Sequence, residues 1–192
     1  MQASDIGAVP IAHQGEPDEV RARVADLGAS AILAFDGAQH VGQLQFRRYV
    51  PGTRSPNGVW DPLYWMDFGE RAPILPSVTV AVCCCHVGQV DDSDQRVGRY
   101  LGRGIGSALL DHFLAWVRVR EFEAVVAKAT PDRRAVMEFL GGFPPRVYEA
   151  RGFSVTNQWI DDDLSRTIRG QSLASAEDPE AATIASCVLQ CQ

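Results

Sequence analysis

The chain has 192 residues, 46% of them hydrophobic, which is the size and apolar content of one compact domain with a sizeable core. A net charge of -6 and a pI near 5.2 exclude a general nucleic-acid binder, which needs a basic footprint for phosphates, and lean towards neutral or cationic substrates. Its longest apolar run, residues 78–85, is too short to span a membrane, and residues 1–6 have no basic segment leading into an apolar one, so a soluble cytoplasmic protein is expected.

In chain order, residues 6–11 read as a short first strand. Residues 17–27 read as a helix opened by Pro17, with Val20, Val24 and Leu27 on one face and Gly28 as its stop. Residues 31–35 and 40–49 are apolar segments joined at Asp36-Gly37, a dipeptide that accepts the positive φ angles of a hairpin turn. Residues 51–76 carry Pro51, Pro56, Pro62 and Pro73 together with Trp60, Tyr64 and Trp65; they read as a long loop that either shapes a pocket or covers an edge of the core. Residues 77–87 are apolar on both faces, as a strand in the middle of a sheet must be.

A polar stretch, 88–99, leads to a glycine loop and a helix over roughly 105–120, in which Ile105, Leu109, Phe113 and Trp116 recur at helical spacing. Residues 122–129 read as a strand and 132–140 as a helix; Gly141-Gly142-Phe143-Pro144-Pro145 interrupts, and 147–150 form a brief helical turn. Residues 153–160 and 164–168 are expected to pair as the last two strands. Beyond Gly170 the composition turns to Ala, Ser, Glu and Gln, giving a domain over 1–169 and a tail over 170–192. The tail is either flexible or a docked short helix, capped by Asp178 and with Ile184, Cys187, Val188 and Cys191 at helical spacing.

Chemistry concentrates in Arg99-Tyr100-Leu101-Gly102-Arg103-Gly104-Ile105-Gly106-Ser107. Glycines admit close backbone approach, and free N–H groups at a helix start attract anions, so this loop suits a pyrophosphate, with Arg99 and Arg103 adding charge. A Walker loop would end in Gly-Lys-Ser/Thr, which is absent. A dinucleotide fingerprint would follow its strand directly, whereas here a polar stretch intervenes and Ser107 stands at the third glycine.

Leu101-Gly102-Arg103-Gly104-Ile105-Gly106 resembles the Arg/Gln-x-x-Gly-x-Gly/Ala signature of the GNAT superfamily of acyl-CoA N-acyltransferases, with Leu101 at the charged first position. Val147-Tyr148-Glu149-Ala150-Arg151-Gly152-Phe153 is similar to that family's Tyr-x-x-x-Gly-Phe segment. The resemblance covers residues 31–160 and implies an α/β (α+β) fold: a single domain with a central mixed, mostly antiparallel sheet flanked by helices. It further implies acetyl-CoA as co-substrate, a small-molecule or peptide amine as acceptor, and direct attack of the amine on the thioester, without nucleic acid or membrane; a homodimer stays open.

On the same resemblance, the strand edge at Cys85, His86 and Val87 would hold the pantetheine arm, and Arg99, Leu101, Gly102, Arg103, Gly104, Ile105, Gly106 and Ser107 the pyrophosphate. Tyr148 would protonate the leaving thiolate; its other reading is a core tyrosine, and in a second alignment through Asp132-Arg133-Arg134-Ala135 its place falls to Phe139. For the general base, His86, Asp67, Glu70 and a water chain all remain open. A non-catalytic acyl-CoA or amine sensor on the same fold is the alternative function.

The run Cys83-Cys84-Cys85-His86 allows at most Cys83 with Cys85, or Cys84 with His86, to share an ion, because neighbours on a strand point to opposite faces. The sequence reading takes these cysteines as small buried hydrophobes and assigns no metal. The five cysteines are odd in number and lack disulfide-framework spacing, which suits a reducing compartment.

Overall fold

Period-two apolar residues build a six-stranded sheet, and it organises everything else. The computed structural model describes residues 1–51, 68–93, 95–175 and 178–191. Its strands are β1 (Ala31–Asp36), β2 (Gln39–Arg48), β3 (Thr79–Val87), β4 (Ala124–Ala129), β5 (Ser154–Ile160) and β6 (Thr183–Gln190), in the spatial order β1-β2-β3-β4-β6-β5. Only β3 and β4 run parallel; the other neighbours are antiparallel, so the sheet is mixed and mostly antiparallel, as expected.

Helices cover both faces. On one lie α2 (Ile105–Arg118) and the short α4 (Pro145–Glu149). Leu110 and Phe113 of α2 are wholly enclosed against Leu44, Val80 and Val125, and the Phe46 ring sits 4.9 Å from Phe113 and 4.6 Å from Trp116. On the other face, Val136 and Leu140 of α3 (Arg134–Leu140) and Leu164 and Ile168 of α5 (Asp162–Gln171) pack on Ala81, Val126, Ile184 and Val188. The same face at the β1 edge carries α1 (Pro17–Leu27) and the N-terminal segment, through Val20, Ile6, Val9 and Ala31.

Three expectations are corrected. Residues 6–11 form no strand; Ile6 and Val9 make one isolated bridge between 3-10 turns. Residues 164–168 belong to α5: Asp161 Oδ1 accepts the Leu164 N–H at 2.8 Å, Asp162 and Asp163 favour the helix start, and Leu164 and Ile168 are a buried i, i+4 pair. The described residues of 170–192 are neither a loose tail nor a docked helix of their own. Asp178 does cap a turn, Pro179–Ala182, but the chain then enters the sheet as β6 between β4 and β5. There Ala185, Cys187 and Leu189 face α2 while Ile184 and Val188 face α5, so an apolar run buried on both faces also carried an accidental helical spacing. The aromatic loop residues Trp60, Asp61, Tyr64, Trp65 and Asp67 lie outside the described residues.

Because β6 supplies both neighbouring strands with their hydrogen bonds, a chain ending at Ser172 is expected to lose its cooperative thermal transition, read by circular dichroism. A sharp transition in that truncated chain would show that β6 is dispensable.

Candidate functional site

The glycine loop opens α2 with an unshielded anion site. Gly104 is the N-cap, at φ 78°, and no side chain among the described residues caps the helix. Among the described residues, no acceptor meets the N–H groups of Arg103, Gly104, Ile105, Gly106 or Ser107. A Cβ at Gly102 or Gly104 would meet nothing within 4 Å, so a ligand has open access to these donors, and the helix dipole adds partial positive charge there. Arg103 is exposed beside them. Arg99 is engaged elsewhere: it donates to the Tyr100 hydroxyl at 2.8 Å, which donates to Asp36 Oδ2 at 3.2 Å.

Beside the loop the sheet splits. β3 and β4 pair only from Thr79 with Ala124 to Val82 with Ala127. An extra residue in β3, opposite the Gln45/Phe46 step of β2, is a bulge that resets which side chains face which layer. Before it, Val80 and Val82 face α2 and Ala81 and Cys83 face away; beyond it, Cys85 and Val87 face α2. A cleft of about 240 Å³ lies there, lined by Cys85, Val87, Arg96, Leu101, Gly106 and Phe143 among others.

The split is bridged by the interrupting glycines. Cys85 N–H donates to the Gly141 carbonyl at 2.6 Å, and Thr130 N–H on the β4 side donates to the Phe143 carbonyl at 2.9 Å. A Cβ at Gly141, which sits at φ 61°, would lie 2.6 Å from Cys84 Sγ, and one at Gly142 would lie 2.4 Å from Thr130 Cγ2; only glycine fits either place. The cleft therefore lies over this bridge, and the Phe143 ring forms part of its wall.

The expected site residues divide by this geometry. Cys85, Val87, Leu101 and Gly106 line the cleft, with Gly102, Arg103, Gly104, Ile105 and Ser107 in the adjoining loop and first turn of α2. Tyr148 stands one layer deeper, 5.9 Å and edge-on from Phe143 and 5.2 Å from Phe153, and burial holds its phenol well above the usual tyrosine range. His86 shares a face with Cys84, whose Sγ is 2.9 Å from its Nε2, and is not among the cleft-lining residues. Burial first, then the charges of His13, Arg96 and His40, pull its imidazole down to about 3, so it is neutral and a weak base at neutral pH. Burial pushes the Cys84 thiol well above the usual cysteine range and the Cys85 thiol up to about 12, which makes neither a ready nucleophile.

No protein-family model matches the sequence, and no curated protein matches it at a significant level. Solved structures do match in shape. A mosquito arylalkylamine N-acetyltransferase-like protein superposes with a TM-score of 0.53 at 17% identity, over 92% of this chain and 81% of its own. An acetyltransferase of the GNAT family from Streptococcus pneumoniae gives 0.52 at 14%, over 100% and 96%. The GNAT-like decarboxylase GphF, solved with isobutyryl-CoA, gives 0.53 at 15%, over 99% and 96%.

The fold is the GNAT fold. At such identities the likeness is one of architecture, and the GNAT-fold relatives just named include both acetyltransferases and a decarboxylase.

Within this GNAT fold, three residues matter that sequence reasoning missed. Arg96, inside the polar stretch before the glycine loop, is one of two arginines in the cleft wall, with Arg146. Phe143, read only as part of an interruption, contacts the glycine loop, since a Cβ on Gly106 would sit 3.2 Å from its ring. Arg151, inside the Tyr-x-x-x-Gly-Phe segment, binds Asp111 Oδ1 of α2 at 2.6 Å and reaches the Ser107 carbonyl at 3.4 Å, fastening that segment to the first turn of α2. An i-to-j ion pair across forty residues leaves no periodic signal in a sequence.

Gly104→Ala is expected to destabilise the chain by about 1–2 kcal/mol, the cost of left-handed backbone for a residue with Cβ, because no steric clash adds to it. Urea unfolding reads the change; an unaltered midpoint would show that the loop relaxes to negative φ.

Proposed function

We propose that this chain is an acyl-CoA-dependent N-acyltransferase, moving an acetyl group to a primary amine by direct attack in a ternary complex. One observation carries the reading: a row of unclaimed backbone N–H groups at the start of α2 opens beside an apolar cleft floored by Cys85 and Val87 at the split between β3 and β4. The donors and Arg103 suit a pyrophosphate, and the apolar cleft suits a pantetheine arm and acyl group; that fit is the support for coenzyme A as the carrier. The fold relative GphF, solved with isobutyryl-CoA, supports the same class of ligand.

In this reading the glycine loop holds the phosphates and Arg96 flanks the arm. The Tyr148 phenol, kept protonated by burial, donates a proton to the departing thiolate, at the cost of a smaller driving force than an exposed phenol would have. His86 is turned away and a weak base, so the attacking amine gives its proton to water rather than to His86. The general requirement on the protein is then positioning.

A second reading is favoured by a specific observation. The Cys85 N–H, a natural donor for a thioester oxygen, is already bonded to Gly141, and Tyr148 lies behind Phe143; both features suit a module that binds acyl-CoA without turning it over.

Release of free thiol from acetyl-CoA with a panel of small amines and peptides separates the two. Amine-dependent release is expected. Acetyl-CoA binding by calorimetry with no release for any amine would establish the module instead. Tyr148→Phe is expected to lower turnover at least about tenfold with acetyl-CoA affinity nearly unchanged. Full turnover in that variant would assign Tyr148 to the core.

A further inference from the structure

The face of β3 opposite the cleft carries a cluster of different chemistry. Cys84 and His86 are both buried there, with Sγ and Nε2 2.9 Å apart. The 3-10 turn Ala12–Gln14 brings a second imidazole over them: the His13 and His86 rings meet edge to face at 4.6 Å. The ligand atoms of His13, Cys84 and His86 all lie within 4.8 Å of one another. His13 is half-buried and so connects the cluster to solvent.

Two further observations belong to the same place. Gln45 stands directly across from Cys84 in the β2–β3 register and is 2% exposed, and among the described residues its Oε1 has no hydrogen-bond partner. Its amide nitrogen donates to the Ile11 carbonyl at 3.4 Å, two residues before His13. Ala12 is held at φ 52°, a left-handed conformation costly for a residue with Cβ, immediately before the histidine it presents.

We propose that His13, Cys84 and His86 bind one transition-metal ion of the zinc class, with Gln45 Oε1 or a water as fourth ligand. Two imidazoles and a thiolate are a borderline-soft donor set that suits Zn²⁺ and disfavours Mg²⁺ or Ca²⁺. A tetrahedral ion with metal–nitrogen bonds of about 2.0–2.1 Å and a metal–sulfur bond of about 2.3 Å needs donors roughly 3.3–3.6 Å apart, so the Cys84–His86 pair at 2.9 Å has to open slightly while all three donors already lie within 4.8 Å of one another. Binding replaces the thiol proton of Cys84, which leaves to solvent, and the thiolate offsets part of the ion's charge where Arg96 lies nearby. The ion would pin the N-terminal segment to the central strand. It stands independently of the acyltransfer reading, since none of its three ligands lines the cleft.

The test uses the tag-free full chain. After incubation with ZnSO₄ and exhaustive dialysis, about one zinc per chain is expected, and Co²⁺ should give a thiolate-to-metal charge-transfer band that zinc abolishes. Added zinc should raise the thermal midpoint. His13→Asn, at a half-buried position, and Cys84→Ser should each weaken zinc at least about tenfold, whereas Cys191→Ser should bind as the parent does. If Cys84→Ser fails to fold, His13→Asn and the cobalt band in the parent chain still decide. Substoichiometric zinc, no charge-transfer band, or undiminished affinity in His13→Asn would overturn the proposal, and loss in Cys191→Ser would move the ion to another cysteine.

Discussion

The bulge in β3 is the constraint on which the rest depends. A regular strand of this sequence would keep the alternation that begins at Val80 and would send Cys84 and His86 towards α2 and Cys85 and Val87 away from it. One additional residue opposite the Gln45/Phe46 step reverses that assignment. The apolar Cys85 and Val87 then floor the cleft beside the glycine loop, and the metal-capable Cys84 and His86 turn to the N-terminal segment. The pairing with β4 also ends at Val82, so the split in the sheet and the change of face arise at the same point of one strand.

Electrostatics around the split are local and oppose the protein's overall acidity. The chain carries six more acidic than basic charges, yet Arg96, Arg103 and five backbone N–H groups collect at one helix start. Burial dominates four nearby titrations: it lifts Tyr148, Cys84 and Cys85 and lowers His86, leaving all four neutral at neutral pH. Unpaired donors gather at the glycine loop while the buried groups beside the cleft stay neutral, a division that suits both acyl transfer and tight acyl-CoA capture.

Much of the fold was legible because its elements carry their own punctuation: Pro17 and Gly28 around α1, Asp36-Gly37 between β1 and β2, and the glycine loop before α2 all mark boundaries through backbone sterics. The failures came where pattern was ambiguous or partners were distant. Residues 183–190 are apolar on both faces, so strand and helix spacing coexist in them, and the short apolar pair Leu164 and Ile168 does not by itself separate a strand from the helix that Asp161 caps. Around the candidate site, the glycine loop was legible by type and spacing as the start of α2. The turning of His86 was invisible, because a bulge leaves no compositional trace, and so was His13, which reaches the strand only through tertiary structure.

The position of β6 has a consequence for how the chain comes to be folded. It follows β5 in sequence but lies between β4 and β5, so during synthesis β5 has no strand to pair with until residues 183–190 have left the ribosome. Until then β4 has one open edge and a face of apolar residues, the kind of surface that recruits another unfinished chain. Helix α5 and the capped turn at Asp178 bring β6 back over a short path, which limits the time that edge stands open.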